Sequence, residues 1–478
     1  MKKKWNLLFY ILMMAIFGSI IYFILQQGHL LETASYKATD NNKTDFAFFA
    51  SSFNNNLAHP LPVLLLQVIV IVVCVRLFGF LFNKIGQPSV IGEIVAGIVL
   101  GPSVLGALFP VVSDFIFPAS SLNNLQFLSQ VGLILFMFVI GLELDINIIR
   151  RQAKEAVIIS HASIIIPYTL GMGLALFMYR EFAPANISFL SFSLFMGIAM
   201  SITAFPVLAR IIQERGITKT KLGAMAITCA AADDVTAWCI LAALIAVVKA
   251  GTSVSTLYTI GLLIGYILVM LLLVRPLLKK LGSLYNNRET VSKSMMAIVF
   301  MVMLLSAYTT EIIGIHALFG AFMAGVIMPP ELDFRKTVMD KIEDVSLVLL
   351  LPLFFVFTGL RTQVGLLNEG NLWFAFGWIV LVAVAGKFGG STLAAKVTGQ
   401  SWKDSLSIGA LMNTRGLMEL VVLNIGYDLG ILSPQVFAMM VLMALITTFM
   451  TNPALDLINW LLPDKVTKTP QAKIIPKT

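Results

Sequence analysis

The chain has 478 residues, of which 58% are hydrophobic and only 12% charged, with a formal net charge of +8. A soluble domain carries roughly 25% charged residues, so these figures exclude an ordinary soluble enzyme and point to a polytopic membrane protein. The excess Lys and Arg lie in short loops between apolar runs, a positive-inside pattern rather than a nucleic-acid footprint.

Runs of ~20 apolar residues mark bilayer-crossing helices. In chain order they are Trp5–Leu25, Leu61–Phe82, Val90–Leu108, Leu125–Leu142, Ala156–Tyr179, Leu190–Ile212, Leu222–Val248, Leu257–Leu278, Ser294–Thr310, Ile315–Met328, Val345–Leu360, Leu372–Ala394, Ser405–Leu429 and Gln435–Leu462. With Lys2–Lys4 on the cytoplasmic side and strict alternation, five basic clusters fall inside. They are Arg150/Arg151/Lys154, Arg215/Lys219/Lys221, Arg275/Lys279/Lys280, Arg335/Lys336/Lys341 and Lys396/Lys403. Lys465, Lys468 and Lys473 fall there too, giving both termini a cytoplasmic location. The first run follows a basic start and could be a signal peptide, but it is long for one and lacks a nearby small-residue cleavage site, so a retained helix is expected. The expected organisation is an N-terminal helix and external loop (1–60), a transmembrane domain (61–462) and a short basic tail (463–478). The polar stretch up to Pro60 has a helical tendency near Phe46–Phe53. Cys74, Cys229 and Cys239 all sit in apolar runs and suggest neither disulfides nor zinc.

Two pairs of segments echo each other. IGEIVAGIVLGPSVLG (Ile91–Gly106) resembles IHALFGAFMAGVIMPP (Ile315–Pro330), and VGLILFMFVIGLELD (Val131–Asp145) resembles VSLVLLLPLFFVFTGLRT (Val345–Thr362). Each pair runs in opposite directions in the proposed topology, the mark of an inverted repeat with a midplane site. Two further segments are interrupted. Pro206 lies inside an apolar run and breaks the helix around Ser201–Phe205, freeing carbonyls and the hydroxyls of Ser201 and Thr203 as cation ligands. In the other half Asn413, Thr414, Arg415, Gly416 and Glu419 interrupt an apolar run, and Arg415 can offset half-helix termini and pair with Glu419.

Asp233 and Asp234 occupy the centre of MAITCAAADDVTAWCILAALIAVV (Met225–Val248). A carboxylate at that depth costs at least ~3 kcal/mol. Lys387, flanked by glycines, is equally out of place. Adjacent helical residues point about 100° apart, so one aspartate can pair with Lys387 while the other faces an ion path. There proton and cation would compete for the same oxygens. Release of the lysine proton as well would give two protons per cation and voltage-driven transport. The alternative is a static pair that locks two helices. Glu93 reads as a gate or local cap, Glu143 and Asp145 as partners of Arg150 and Arg151, and His161 and His316 as satisfied core histidines.

The motifs QPSVIGEIVAGIVLGPSVLG, FVIGLELD, SITAFPVLARI, AADD, LPLFFVFTGLRT and NTRGLMELVVLNIG resemble the second branch of monovalent cation:proton antiporters, the Kef-type sodium or potassium/proton exchangers. The resemblance covers about Pro60 to Leu462. It implies an all-α inverted-repeat antiporter fold with thirteen helices, here with one more at the N-terminus. Two discontinuous helices cross in a core domain that moves as an elevator against a dimerisation domain, so the protein would be a homodimer. By motif position Asp234 matches the cation- and proton-binding aspartate, and Asp233 its neighbour paired with a lysine, here Lys387. The Asp-Asp form resembles that of electrogenic sodium/proton exchangers. The large nucleotide-binding domain of Kef-type efflux systems has no counterpart fingerprint here. The expected activity is exchange of Na⁺ for H⁺ across the cell (inner) membrane, without cofactor or covalent chemistry. Potassium/proton exchange is the alternative. A passive channel or a sensor on the same fold is disfavoured by the repeats and the intact Asp–Lys trio.

Overall fold

The computed structural model describes residues 2–31, 45–143, 153–218, 220–250, 253–283, 292–329, 332–368 and 370–463. Asp145, Arg150, Arg151 and the basic tail from 464 lie outside them, so the pairing expected for Glu143 with those arginines is not described. The chain divides into two compact units, Met1–Val63 and Leu64–Thr478.

The first unit contains the helix Lys2–Leu31 and a shorter one, Asp45–Leu57, which takes in the helical tendency around Phe46–Phe53. Most of the described apolar side chains from Leu7 to Leu31 are exposed, as a helix bathed in lipid requires.

Among the described residues, twelve helices are long and apolar enough to cross a membrane, and the bent pair Trp402–Met412 and Leu417–Asp428 makes a thirteenth span. The remaining one of the fourteen apolar runs, Ile315–Met328, forms only an 11-residue helix, Ala317–Ile327. At 1.5 Å per residue that is roughly 16 Å, about half the hydrocarbon thickness. The run Val90–Leu108 is also interrupted: Ser89–Leu100 ends at Gly101, and a turn leads into Leu105–Leu108.

The echoing segments pack crosswise. Ser89–Leu100 lies against Leu351–Arg361 so closely that a Cβ on Gly359 would stand 2.0 Å from the carbonyl carbon of Gly97. Leu122–Glu143 lies against Ala317–Ile327, and a Cβ on Gly325 would stand 2.8 Å from the Cα of Gly141. Gly97 and Gly325 occupy the same place in the first pair of motifs, and Gly141 and Gly359 in the second. The two glycine crossings are therefore the same contact made twice, each between one half and the other, as a twofold-related inverted repeat demands.

Proline opens the helices at predictable points. Two π-helical turns, Met270–Val274 and Ser346–Leu350, stand immediately before Arg275-Pro276 and Leu351-Pro352. A proline has no N–H for the carbonyl four residues back, so the ladder loosens there. A third π-turn, Ala385–Gly389, contains no proline and carries Lys387 at its centre.

One histidine reading needs correction, that of His161, while His316 is satisfied as expected. His161 is exposed, bonding Val157 O at 2.8 Å on its own helix. His316 is an N-cap, its Nδ1 accepting from the Leu318 N–H at 3.4 Å.

Candidate ion-binding site

The run containing Pro206 forms two half-helices, Phe189–Ser201 and Phe205–Glu214, joined by extended backbone at Ile202 and Ala204. Pro206 stands in the first turn of the second half-helix, where its missing N–H leaves no bond unmade. The segment of the other half breaks between Met412 and Leu417, bending the span by 41°. The breaks meet. Ala204 donates its N–H to Thr414 O at 3.0 Å, and the Thr203 hydroxyl reaches Met412 O at 3.2 Å. Gly416 keeps the crossing tight, because a Cβ there would stand 2.9 Å from the Val207 Cγ2. The second break is also tied to Pro434–Leu461: Thr448 accepts from the Arg415 N–H at 3.0 Å, and Thr414 and Thr451 join hydroxyls at 3.2 Å.

A half-helix ending inside the membrane leaves its last carbonyls without intrahelical partners. Two cations cap the end of Phe189–Ser201. Arg415 donates through Nη1 to Ala199 O at 2.7 Å and through Nη2 to Met200 O at 2.5 Å. Lys387 donates to Ser201 O. Arg415 also holds Glu419 Oε2 at 2.9 Å, the i,i+4 pair expected from the sequence, and both side chains are fully buried. These charges satisfy exposed helix ends and belong to the architecture of the crossing.

The aspartates lie beside the crossing on the helix Lys221–Ala250, and their environments differ sharply. Asp233 is saturated. Its Oδ1 accepts from Ser160 at 2.6 Å, and its Oδ2 accepts from Ser163 at 2.5 Å, Thr203 at 2.9 Å and Lys387 at 2.9 Å. Asp234 is 1% exposed, and neither of its oxygens has a hydrogen-bond partner. The Phe205 amide, at the start of the second half-helix, acts on Asp234 without meeting hydrogen-bond geometry. A buried carboxylate with no donor is costly unless it takes up a proton or a cation. Asp233 must break existing bonds to accept either; Asp234 breaks none.

The other expected site residues fall around this pair. Thr203 has its hydroxyl on Asp233. Ser201 turns its hydroxyl to Gly197 O at 2.7 Å and Ile164 O at 3.1 Å, offering the site only its carbonyl, which Lys387 takes. Asn413 is buried at the end of Trp402–Met412 with its Oδ1 unbonded. Glu93 sits near Ser89, Arg76 and Arg210, a setting that fits the local cap rather than the gate among the two roles read for it.

Ser160 and Ser163 are the site residues the motifs did not single out. They lie three apart on the helix Ala153–Phe182, hence on one face, and both are fully buried. Their signal was a pair of serines in an otherwise apolar run just before Pro167.

Comparisons with known proteins identify the family and the fold. Residues 69–457 match the family described as sodium/hydrogen exchanger, transmembrane. The chain is 42% identical over 394 residues to the Na⁺/H⁺ antiporter NhaS4 of Synechocystis, covering 82% of this chain and 96% of that protein. It is 41% identical to cation/H⁺ antiporter 17 of Arabidopsis thaliana and 33% identical to K⁺/H⁺ antiporter 1 of Saccharomyces cerevisiae. Those matches cover 84% and 85% of this chain but only 48% and 47% of the relatives, so the chain spans about half their length. Among solved structures, the sodium proton antiporter MjNhaP1 of Methanocaldococcus jannaschii superposes with a TM-score of 0.62 at 16% identity, covering 84% of this chain and 98% of that one, which shows the fold. A multi-pass helical chain with crossed broken helices, matched over most of its length by this family, is a member of the sodium/hydrogen exchanger family of cation/proton antiporters.

Proposed function

We propose that this protein is a secondary antiporter that exchanges Na⁺ for H⁺ at Asp234. The observation that carries the reading is the contrast between adjacent carboxylates, one holding four donors and the other holding none. A proton and a cation compete for the free carboxylate, so binding one expels the other and no covalent step is needed. Asp233 and Lys387 are the charge framework beside it. Thr203 links that framework to both breaks, and Pro206, Asn413, Thr414, Arg415 and Glu419 maintain the break geometry.

Sodium comes first because the relative matched over nearly its full length carries that ion in its name. Potassium is the second reading, supported by the yeast relative's name. Carboxylate and carbonyl oxygens serve either ion, and cavity size decides between them.

The same reading gives the molecule its setting. It lies in the cell membrane with both termini cytoplasmic, following the basic loops. Residues 1–60 form an added helix and loop, 61–462 the exchanger, and 463–478 a tail. The helices around the crossing form a moving core. The glycine-crossed helices, Ser89–Leu100 with Leu351–Arg361 and Leu122–Glu143 with Ala317–Ile327, form the static scaffold through which two copies dimerise.

Purified protein in liposomes with an imposed pH gradient will move protons on addition of Na⁺, with Li⁺ and K⁺ compared in parallel and with and without a membrane potential. Asp234→Asn abolishes the flux. Undiminished exchange by folded Asp234→Asn protein would falsify the assignment.

A further inference from the structure

Lys387 is held by more than its ion pair. Its ammonium has three hydrogens and four acceptors within reach: Asp233 Oδ2 at 2.9 Å, Ser163 O at 2.9 Å, Ser163 Oγ at 3.1 Å, and Ser201 O. Two of these are backbone carbonyls. Ser201 O is free because its half-helix ends there. Ser163 O lies inside a continuous 30-residue helix, where a carbonyl is normally taken by the N–H four residues on. The residue four on is Pro167, which has no N–H. The same proline forms the docking face for the lysine helix. A Cβ at Gly386, next to Lys387, would stand 2.8 Å from the Pro167 Cα and 2.9 Å from its Cβ, so only glycine fits there. The π-turn Ala385–Gly389 then carries the lysine into the site.

We infer that Pro167 is a positioning residue for exchange: it frees the Ser163 carbonyl to hold the Lys387 ammonium and sets how closely the lysine helix approaches. The inference rests on the antiporter reading and adds to it a way in which backbone, rather than Asp233 alone, fixes the charge beside the carrier aspartate. The ionisable groups bearing on Lys387 are Asp233 with its neighbour Asp234 on Lys221–Ala250, and Arg415 and Glu419 on the second broken span. The Cys229 thiol lies in the same field. The helix that carries Pro167 presents the carbonyl and hydroxyl of Ser163.

The test is Pro167→Ala. The new N–H at 167 bonds Ser163 O within the helix and withdraws it from the ammonium. The charged lysine then loses one of its acceptors, and the pH–activity profile in proteoliposomes moves toward acid by about 1 pH unit, the effect of one hydrogen bond to a charged group. Because an interior proline weakens a helix, the same variant melts at a higher temperature than wild type. A purely structural proline would not move the profile. Gly386→Ala, which pushes the lysine helix away from Pro167, gives the same acid shift with a lower melting temperature. A profile that superposes on wild type in either variant, or a Pro167→Ala protein that melts below wild type, overturns the proposal. If wild-type protein exchanges none of the three cations, the antiporter reading fails. The role of Pro167 is then decided by melting alone. The lost carbonyl penalises only the charged lysine, so the advantage of Pro167→Ala over wild type must grow as pH rises. A constant difference overturns it.

Discussion

Two buried ion pairs flank the crossing, and they are built on opposite principles. Arg415 and Glu419 are four residues apart on one chain segment, and the arginine also directs Nη1 and Nη2 to two carbonyls of a half-helix. Asp233 and Lys387 are 154 residues apart, and three hydroxyls from two further elements converge on the same carboxylate. The local pair caps an end that would otherwise be bare. The distant pair locks separate helices around an unbonded carboxylate, Asp234. Charge at membrane depth therefore has two meanings here, and the number of elements that meet at a charge tells them apart.

Substitutions should separate the two pairs. The largest effect on transport is expected for Asp234→Asn, which abolishes proton-coupled cation flux in liposomes while leaving the fold intact, because no bond is lost. Next is Lys387→Ala. It removes one partner of a buried pair, about 3–5 kcal/mol of destabilisation, and it weakens voltage-driven transport more than electroneutral exchange. Melting curves and flux at fixed potentials read the two effects. An equal voltage dependence in mutant and wild type rejects this role for Lys387. Arg415→Ala strands Glu419 and two carbonyls, with destabilisation of a similar ~3–5 kcal/mol. The surviving folded fraction keeps the ion preference of wild type, since Arg415 serves the architecture; altered selectivity would erase the distinction between the pairs. Ser160→Ala is the mildest. Asp233 retains three donors, so about 1 kcal/mol is lost, with a modest rise in the cation concentration for half-maximal flux. A complete loss of transport in a stable Ser160→Ala protein would mean that Asp233, not Asp234, binds the cargo.

The sequence revealed the local pair more readily than the distant one. The i,i+4 spacing of Arg415 and Glu419 is visible in one line of residues, as is the break at Pro206. The Asp233–Lys387 pair was reachable only because charges so deep in apolar runs are few and must neutralise one another. The hydroxyls of Ser160 and Ser163 were not found, because serine costs little in a membrane helix and gives no energetic alarm. Ser201 shows the converse. Its hydroxyl was expected to face the ion, but a helical serine readily bonds the carbonyl four residues back, and its backbone oxygen is what reaches the site. The half-length helix Ala317–Ile327 was hidden for a similar reason, since hydropathy reports apolar composition and not where the chain leaves the helix. The repeat was visible as an echo of motifs, but the crosswise glycine contacts that give it meaning needed coordinates.

The central claim is that Asp234 holds the cation and Asp233 does not. A ligand that binds only the folded protein raises its melting temperature with concentration. Melting of purified wild-type, Asp234→Asn and Ser160→Ala proteins across a Na⁺ titration at alkaline pH tests the claim directly. The account predicts a Na⁺-dependent rise in wild type, nearly the same rise in Ser160→Ala, and none in Asp234→Asn. A rise that persists in Asp234→Asn but vanishes in Ser160→Ala would place the cation on Asp233 and contradict it.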